Sequence, residues 1–302
     1  MKLFVHIGMP KCGSTTLQNT ARRLAGDFST KHSLFYGGTD SEYNNHHSFS
    51  TICRAAKDAV LGKNYLNELF RLAAEQSCKS VLISSEELFY TLESERQKSF
   101  MENCIAESNF DEEVVYILVH RDFRAFAASY VRQLMSNGRL ACERSFLGLG
   151  VYVYRLIAES LNLKGRRILL RLEGDPRAGG ADEFSRLFFN GVGVDAEITP
   201  IPHTRDNSMN SHSIAIDYLG GFITACDSLL GNFPINGKLA DKVRSEFREH
   251  PRTVNASEFI SQVDMEFSVR LQSIISVMEG KMDSAAVELA RRLANSRILE
   301  FS

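Results

Sequence analysis

Residues 3–16 read Leu3-Phe4-Val5-His6-Ile7, then Gly8-Met9-Pro10-Lys11-Cys12-Gly13-Ser14-Thr15-Thr16. The first five form a mostly apolar run with β-branched residues, which predicts a strand. Beyond Thr16, Leu17, Ala21, Leu24 and Ala25 recur at helical spacing, and Gly26 is expected to stop that helix. A glycine-containing turn between strand and helix points backbone N–H groups and the positive end of the helix dipole at one spot. Such a spot favours an anion.

Further along, Val81-Leu82-Ile83-Ser84, Val114-Val115-Tyr116-Ile117-Leu118-Val119 and Ile168-Leu169-Leu170-Arg171-Leu172 are strand candidates separated by helical patterns. Near-continuous apolar strands alternating with helices predict an α/β fold, a parallel sheet flanked by helices on both faces. After the third strand, Asp122 is placed to cap a helix carrying Phe126, Tyr130 and Leu134 on one stripe. Near the C-terminus, Ile260, Val263, Phe267, Leu271, Ile274 and Met278 mark a long amphipathic helix, and Val287, Leu289, Ala290 and Leu293 another. No Pro/Ser-rich linker separates the parts. The expectation is one domain over residues 1–302, with an α/β core and nucleotide site in 1–206 and a helical C-terminal part in 207–302.

The composition suits such a domain. The chain has 302 residues, 44% of them hydrophobic, and 35 Lys+Arg against 37 Asp+Glu give a net charge of −2. At this length roughly three quarters of the unfolded chain's surface can be buried, enough for a core without disulfides or structural metal. A near-neutral balance without a clustered basic stripe argues against a nucleic-acid partner. Charged residues interrupt every apolar stretch before the eighteen or so residues of a membrane span, and Met1-Lys2 leads straight into the first strand. A cytoplasmic protein with no transmembrane segment is expected. Cys12, Cys53, Cys78, Cys104, Cys142 and Cys226 show no CxxC spacing or matching His pairs, so free thiols are expected and no metal site is assigned.

Gly8 and Gly13 have the separation of the two glycines in a Walker A loop, GxxxxGK[ST], but Ser14 stands where that loop has its lysine, and the lysine is Lys11, inside the turn. An ammonium there can reach the bridging oxygen between a 5′-phosphate and the group it carries, while Ser14, Thr15 and Thr16 offer hydroxyl and amide donors. Pro10-Lys11-Cys12-Gly13-Ser14-Thr15-Thr16 resembles the phosphosulfate-binding loop of sulfotransferases that use 3′-phosphoadenosine 5′-phosphosulfate (PAPS), often written PKxGTT. Ser14 replaces the usual Thr and keeps the hydroxyl. The resemblance implies that Lys11, Cys12, Gly13, Ser14, Thr15 and Thr16 hold the donor.

In that family an Arg at a strand end and a Ser about eight residues later hold the 3′-phosphate. Arg121, after Val119-His120, and Ser129 match this spacing, although Phe123 stands where many members have Pro. Three looser segments, Asn45-His46-His47-Ser48-Phe49, Ser84-Ser85-Glu86-Glu87-Leu88-Phe89 and Arg205-Asp206-Asn207-Ser208, fall in the order seen in bacterial sulfotransferases of the carbohydrate-modifying type.

Sulfuryl transfer to a hydroxyl or amine needs a group that takes the acceptor's proton, and the family uses a His or a Glu. His46 and His47, read here as a polar loop, have the pKa range for general-base work. Glu86, at the C-terminal end of its strand, lies on the edge where open α/β sheets bind ligands. Phe35, Tyr36, Tyr43, Phe49, Tyr90, Tyr152 and Tyr154 are candidate walls for a carbohydrate or other small-molecule acceptor. The reading is a PAPS-dependent sulfotransferase with a P-loop-like core, needing no metal. The alternatives are a kinase-like phosphotransferase, against which the displaced lysine argues, and a non-catalytic nucleotide-binding protein of the same fold.

Overall fold

A computed structural model describes residues 1–9, 11–37, 45–110, 112–121, 126, 156–157, 159–172, 180–194 and 298–301. The chain divides into two compact units. Met1–Asp122, Val153–His203 and Asp283–Ser302 form the first, and Phe123–Tyr152 with Thr204–Met282 the second. All described residues except Phe126, which is helical and buried, belong to the first unit.

In that unit β1 (Lys2–Gly8) leads to α1 (Ser14–Arg23), α2 (Ala25–His32) and the short β2 (Leu34–Phe35). Then come α3 (His47–Ala55), α4 (Ala59–Glu75), β3 (Ser80–Ser85), a 3₁₀ helix (Glu86–Glu93) and α5 (Glu95–Ala106). The series closes with β4 (Val114–Arg121), β5 (Arg166–Leu172), α6 (Gly180–Gly191) and β6 (Ile298–Phe301). The strands form one sheet in the order β2-β3-β1-β4-β5-β6. The first five in that order run parallel, and β6 pairs antiparallel with β5. This is an α/β fold.

The central strand explains the arrangement. β1 is buried along its length after Lys2, with Leu3, Val5 and Ile7 fully inaccessible, because β3 and β4 pair with its two edges and helices cover its faces. Only a parallel sheet covered on both sides asks a strand to be apolar on both. Leu3 pairs with both Val81 and Val114, so the three best-matched apolar runs lie side by side. On α4, Asp58 caps the helix, its Oδ1 accepting from the N–H of Val60 at 3.0 Å and of Leu61 at 3.3 Å.

Three expectations are corrected. The helix after the first turn stops at Leu24 (φ −95°, ψ 6°), and Gly26 lies inside the next helix, where its carbonyl accepts from Ser29 Oγ and Thr30 Oγ1. His46 and His47 are not in a polar loop: His47 begins α3, and His46, just before it, is fully buried. Ile298–Phe301, inside the segment expected to be helical, is a strand on the sheet edge. The predicted cap Asp122, Tyr130, Leu134, Tyr43, Tyr152, Tyr154, the 205–208 segment and the stripes at 260–278 and 287–293 lie outside the described residues. No helix among the described residues is long and apolar enough to cross a membrane.

Candidate functional site

The chain after β1 continues to β2 at one side of the sheet, and the chain after β4 to β5 at the other. The carboxyl ends of these adjacent strands therefore flank the point where the connections diverge, which is where open α/β sheets bind ligands. The turn of interest leaves the sheet there. Met9 N–H donates to Val119 O at 3.2 Å, stitching the start of the turn to β4.

Two residues turn the backbone through the left-handed region: Lys11 at φ 63° and Gly13 at φ 78°. Glycine adopts this at no steric cost, whereas a lysine held there implies that its surroundings fix the turn. Cys12 between them is fully buried and anchors the turn. Gly13 stands at the N-cap of α1 and has no side chain to cap it, and the first intrahelical bond runs from Leu17 N to Gly13 O at 3.2 Å. The first-turn N–H groups therefore precede the helix's own hydrogen-bond ladder and point into the turn.

Gly8 is required by close approach. A Cβ built there would lie 2.2 Å from Ser14 Oγ and 3.2 Å from Ser14 Cβ, so any side chain would displace the Ser14 hydroxyl from its place beside the turn. Ser14 is 2% exposed, and its hydroxyl has no hydrogen-bond partner among the described residues. Thr16 is also buried, whereas Thr15 faces solvent.

Charged groups gather at the mouth of this turn. Burial holds Lys11 below the ordinary ammonium range, partly offset by the charge of Glu86. Glu86, the first residue of the 3₁₀ helix after β3, is pushed up to about 7 by burial, with Lys11 opposing and Glu87 reinforcing the shift. The Cys12 thiol is pushed well up by burial and feels Arg121 and Glu86 with opposite signs, which places both near it. Arg121, the last residue of β4, donates from Nη1 to Lys11 O at 3.5 Å. Tyr90 belongs to the same neighbourhood, pushed up to about 12 by burial first and then by Glu86 and Glu87.

The structure therefore brings together Lys11, Cys12, Gly13, Ser14, Glu86 and Arg121 at one sheet edge. Ser129 lies outside the described residues. His46 is committed elsewhere: Ser84 N–H donates to its Nδ1 at 3.0 Å, and its Nε2 donates to Gly37 O at 3.1 Å. Both ring nitrogens are engaged, and the ring packs against Tyr36 and Tyr65. His47 is part-exposed on α3, with Nδ1 3.9 Å from Glu87 Oε2 and Nε2 3.4 Å from Thr51 Oγ1. Glu87 is bound more closely by Arg54, at 2.7 Å.

Sequence reasoning missed the polar groups beneath the turn: His6 in β1, Gln18 in α1 and Ser84 in β3, all buried. Each is a polar residue at a position whose neighbours are core, and that mismatch was the available signal. No group of three or more His, Cys, Asp or Glu side chains among the described residues is arranged to hold a metal ion. No family model, curated protein or solved structure matches the chain.

Proposed function

We propose that this protein is a cytoplasmic PAPS-dependent sulfotransferase whose P-loop-like turn, Gly8 to Thr16, holds the donor. The acceptor is a hydroxyl or amine of a carbohydrate or another small metabolite. The observation that carries the reading is the pairing of Lys11, inside an anion-directed turn, with a carboxyl group held near neutrality at its mouth, Glu86.

The turn fits such a donor. Ser14 presents a buried hydroxyl without a partner among the described residues, the first turn of α1 points its N–H groups into the turn, and Gly8 admits the Ser14 hydroxyl where a Cβ would collide with it. Lys11, Ser14, Thr16 and the turn's N–H groups would hold the 5′ side, and Arg121 the 3′-phosphate. When bound, the donor supplies a sulfuryl group whose departure leaves adenosine 3′,5′-bisphosphate.

Glu86 is the group that takes the acceptor's proton. A carboxyl titrating near 7 is substantially deprotonated at neutral pH and still basic enough to remove a proton as the acceptor attacks. Lys11 sets a fixed positive charge where negative charge develops on the leaving oxygen, and partial burial makes that charge worth more than it would be in water. Tyr90 and the Arg54–Glu87 pair, with the Arg54 guanidinium 5.5 Å above the Tyr90 ring, lie beside Glu86 and form the nearest candidate wall for an acceptor.

Radiolabelled PAPS incubated with the protein and fractionated glycans, lipids and small molecules tests the reading. The expected result is label on one acceptor class with wild type and none above background with Glu86→Gln. Equal labelling with both proteins would remove Glu86 from the mechanism, and binding of the nucleotide with no transfer to any fraction would favour a non-catalytic binding protein.

A further inference from the structure

Beneath the turn a chain of buried hydrogen bonds links β3, β1 and α1, and its direction turns on one phenol hydrogen. Ser84 Oγ has three polar neighbours: Gln18 Nε2 donates to it at 3.1 Å, the Tyr36 hydroxyl hydrogen-bonds to it, and His6 Nδ1 lies 2.7 Å away. A serine hydroxyl has two acceptor sites and one hydrogen. The amide takes one acceptor site, and the phenol can either donate to the other or accept from the hydroxyl; where the phenol donates, the hydrogen goes to His6 Nδ1. His6 is fully inaccessible, and burial lowers its pKa to about 3, so the ring is neutral and carries a single N–H. With Nδ1 accepting, that hydrogen is on Nε2.

His6 Nε2 has no partner among the described residues, and neither does Ser14 Oγ. The two atoms lie close to the same point: a Cβ on Gly8 would lie 3.3 Å from the first and 2.2 Å from the second. The edge-on contact of the His6 ring with Phe188, centroids 4.9 Å apart, holds the imidazole in this orientation. A buried ring nitrogen and a buried hydroxyl, both without a partner among the described residues and both close to the start of the turn, are groups whose hydrogen bonds would be completed when the turn is filled.

We propose that His6 is a positioning residue for the turn: Tyr36 donates to Ser84 and Ser84 to His6 Nδ1, and in the ligand-bound protein His6 Nε2–H donates to Ser14 Oγ, committing the Ser14 hydroxyl hydrogen to the bound phosphate-type anion. This rests on the reading of the turn as an anion site. The path Gln18 and Tyr36 to Ser84, Ser84 to His6, His6 to Ser14, Ser14 to anion then has one polarity throughout, and every member donates toward the ligand. A serine left to choose its own hydrogen-bond direction would spend part of its time offering a lone pair to an anion.

The test uses the full-length chain labelled with ¹⁵N-histidine, with the His6 signals identified from their loss in His6→Leu, and adenosine 3′,5′-bisphosphate as ligand. At pH 7 the free protein should show His6 with an unprotonated Nδ1 and a protonated Nε2, and ligand should shift the Nε2 proton downfield. Calorimetry supplies a double-mutant cycle. Ser14→Ala and His6→Leu should each weaken binding roughly three- to tenfold, the two together no more than Ser14→Ala alone, and His6→Gln, which restores an N–H, should recover most of the loss. A protonated Nδ1 in wild type, or losses that multiply in the double variant, would overturn the role of His6 while leaving the anion site intact. Absence of any binding by wild type would overturn the anion site and this proposal together. Where His6→Leu does not fold, the signals are identified from His6→Gln and the wild-type tautomer decides.

Discussion

Glu86 and Lys11 shift each other's ionisation in the direction expected of opposite charges, yet both end nearer neutrality than a free carboxylate and a free ammonium would, because burial outweighs their mutual attraction. A structural ion pair at a surface would do the reverse, driving each group further into its charged form. Burial with incomplete charge compensation is the environment in which functional groups are sought, and the pair's behaviour with pH is the first thing to measure.

With Glu86 as the proposed base, the acidic limb of kcat/KM should have an apparent pKa near 7, because only the ionised carboxylate can accept a proton. Glu86→Gln should lower turnover by on the order of 10²–10⁴. Stability should move the other way. A carboxyl raised from 4.5 to about 7 is held protonated more tightly by the folded chain than by the unfolded one. Its contribution is fully present below the unfolded value and is lost as pH rises through about 7. At pH 8, Glu86→Gln should therefore be more stable than wild type by about 1 kcal/mol after allowing for partial exposure, and the two should converge near pH 4. Urea unfolding at the two pH values reads this directly, and a less stable variant at pH 8 would remove the strained carboxyl from the account.

The histidines separate by the same logic. His46→Ala removes an acceptor from Ser84 N–H and a donor from Gly37 O and leaves a buried gap, so it should cost about 2–4 kcal/mol of stability. His47→Ala should change stability by less than about 0.5 kcal/mol and leave turnover near that of wild type, because its ring is part-exposed and its partners are on the surface. Turnover lost by orders of magnitude in His47→Ala, with the fold intact, would return the proton transfer to that residue.

Lys11 combines a charge with a left-handed backbone, and two substitutions separate them. Lys11→Ala and Lys11→Gly should both reduce turnover by about a hundredfold or more, with smaller losses in affinity for adenosine 3′,5′-bisphosphate. The glycine variant should be the more stable of the two by about 1 kcal/mol, because only glycine adopts φ 63° without steric cost. Activity should persist in excess EDTA, since the ammonium supplies the positive charge that a metal ion otherwise would. Normal turnover in Lys11→Gly would show that the turn's shape is all that matters.

How much of this was legible beforehand depended on whether the signal was local. β1, β3, β4 and β5 announced themselves because each carries a run of consecutive apolar residues, as strands of a sheet covered on both faces do. β2 has two residues and β6 four, too few for any pattern to stand out. Gly26 misled because a glycine is a good helix stop, while the actual break, at Leu24, carries no such mark. Glu86 could be placed at a strand's carboxyl end from the run Val81 to Ser84. His46 could not be read, since its partners are Ser84 and Gly37, brought to it only by the packing of β3 and the chain before α3.

Arg121 is a further charge at the site, and its test compares two nucleotides. The guanidinium is assigned to the 3′-phosphate, so Arg121→Ala should weaken adenosine 3′,5′-bisphosphate binding by roughly ten- to a hundredfold and scarcely change that of 5′-AMP. An equal loss for both ligands would mean that its contact with the Lys11 carbonyl serves the turn itself.

The account as a whole stands on which nucleotide the turn was built for. Calorimetric titration of the wild-type protein with adenosine 3′,5′-bisphosphate, and separately with ATP in the presence of magnesium, measures this with no knowledge of the acceptor. Binding of the bisphosphate at least tenfold tighter than that of magnesium ATP is the predicted result. Preference for magnesium ATP would contradict the sulfotransferase reading and establish the kinase-like alternative.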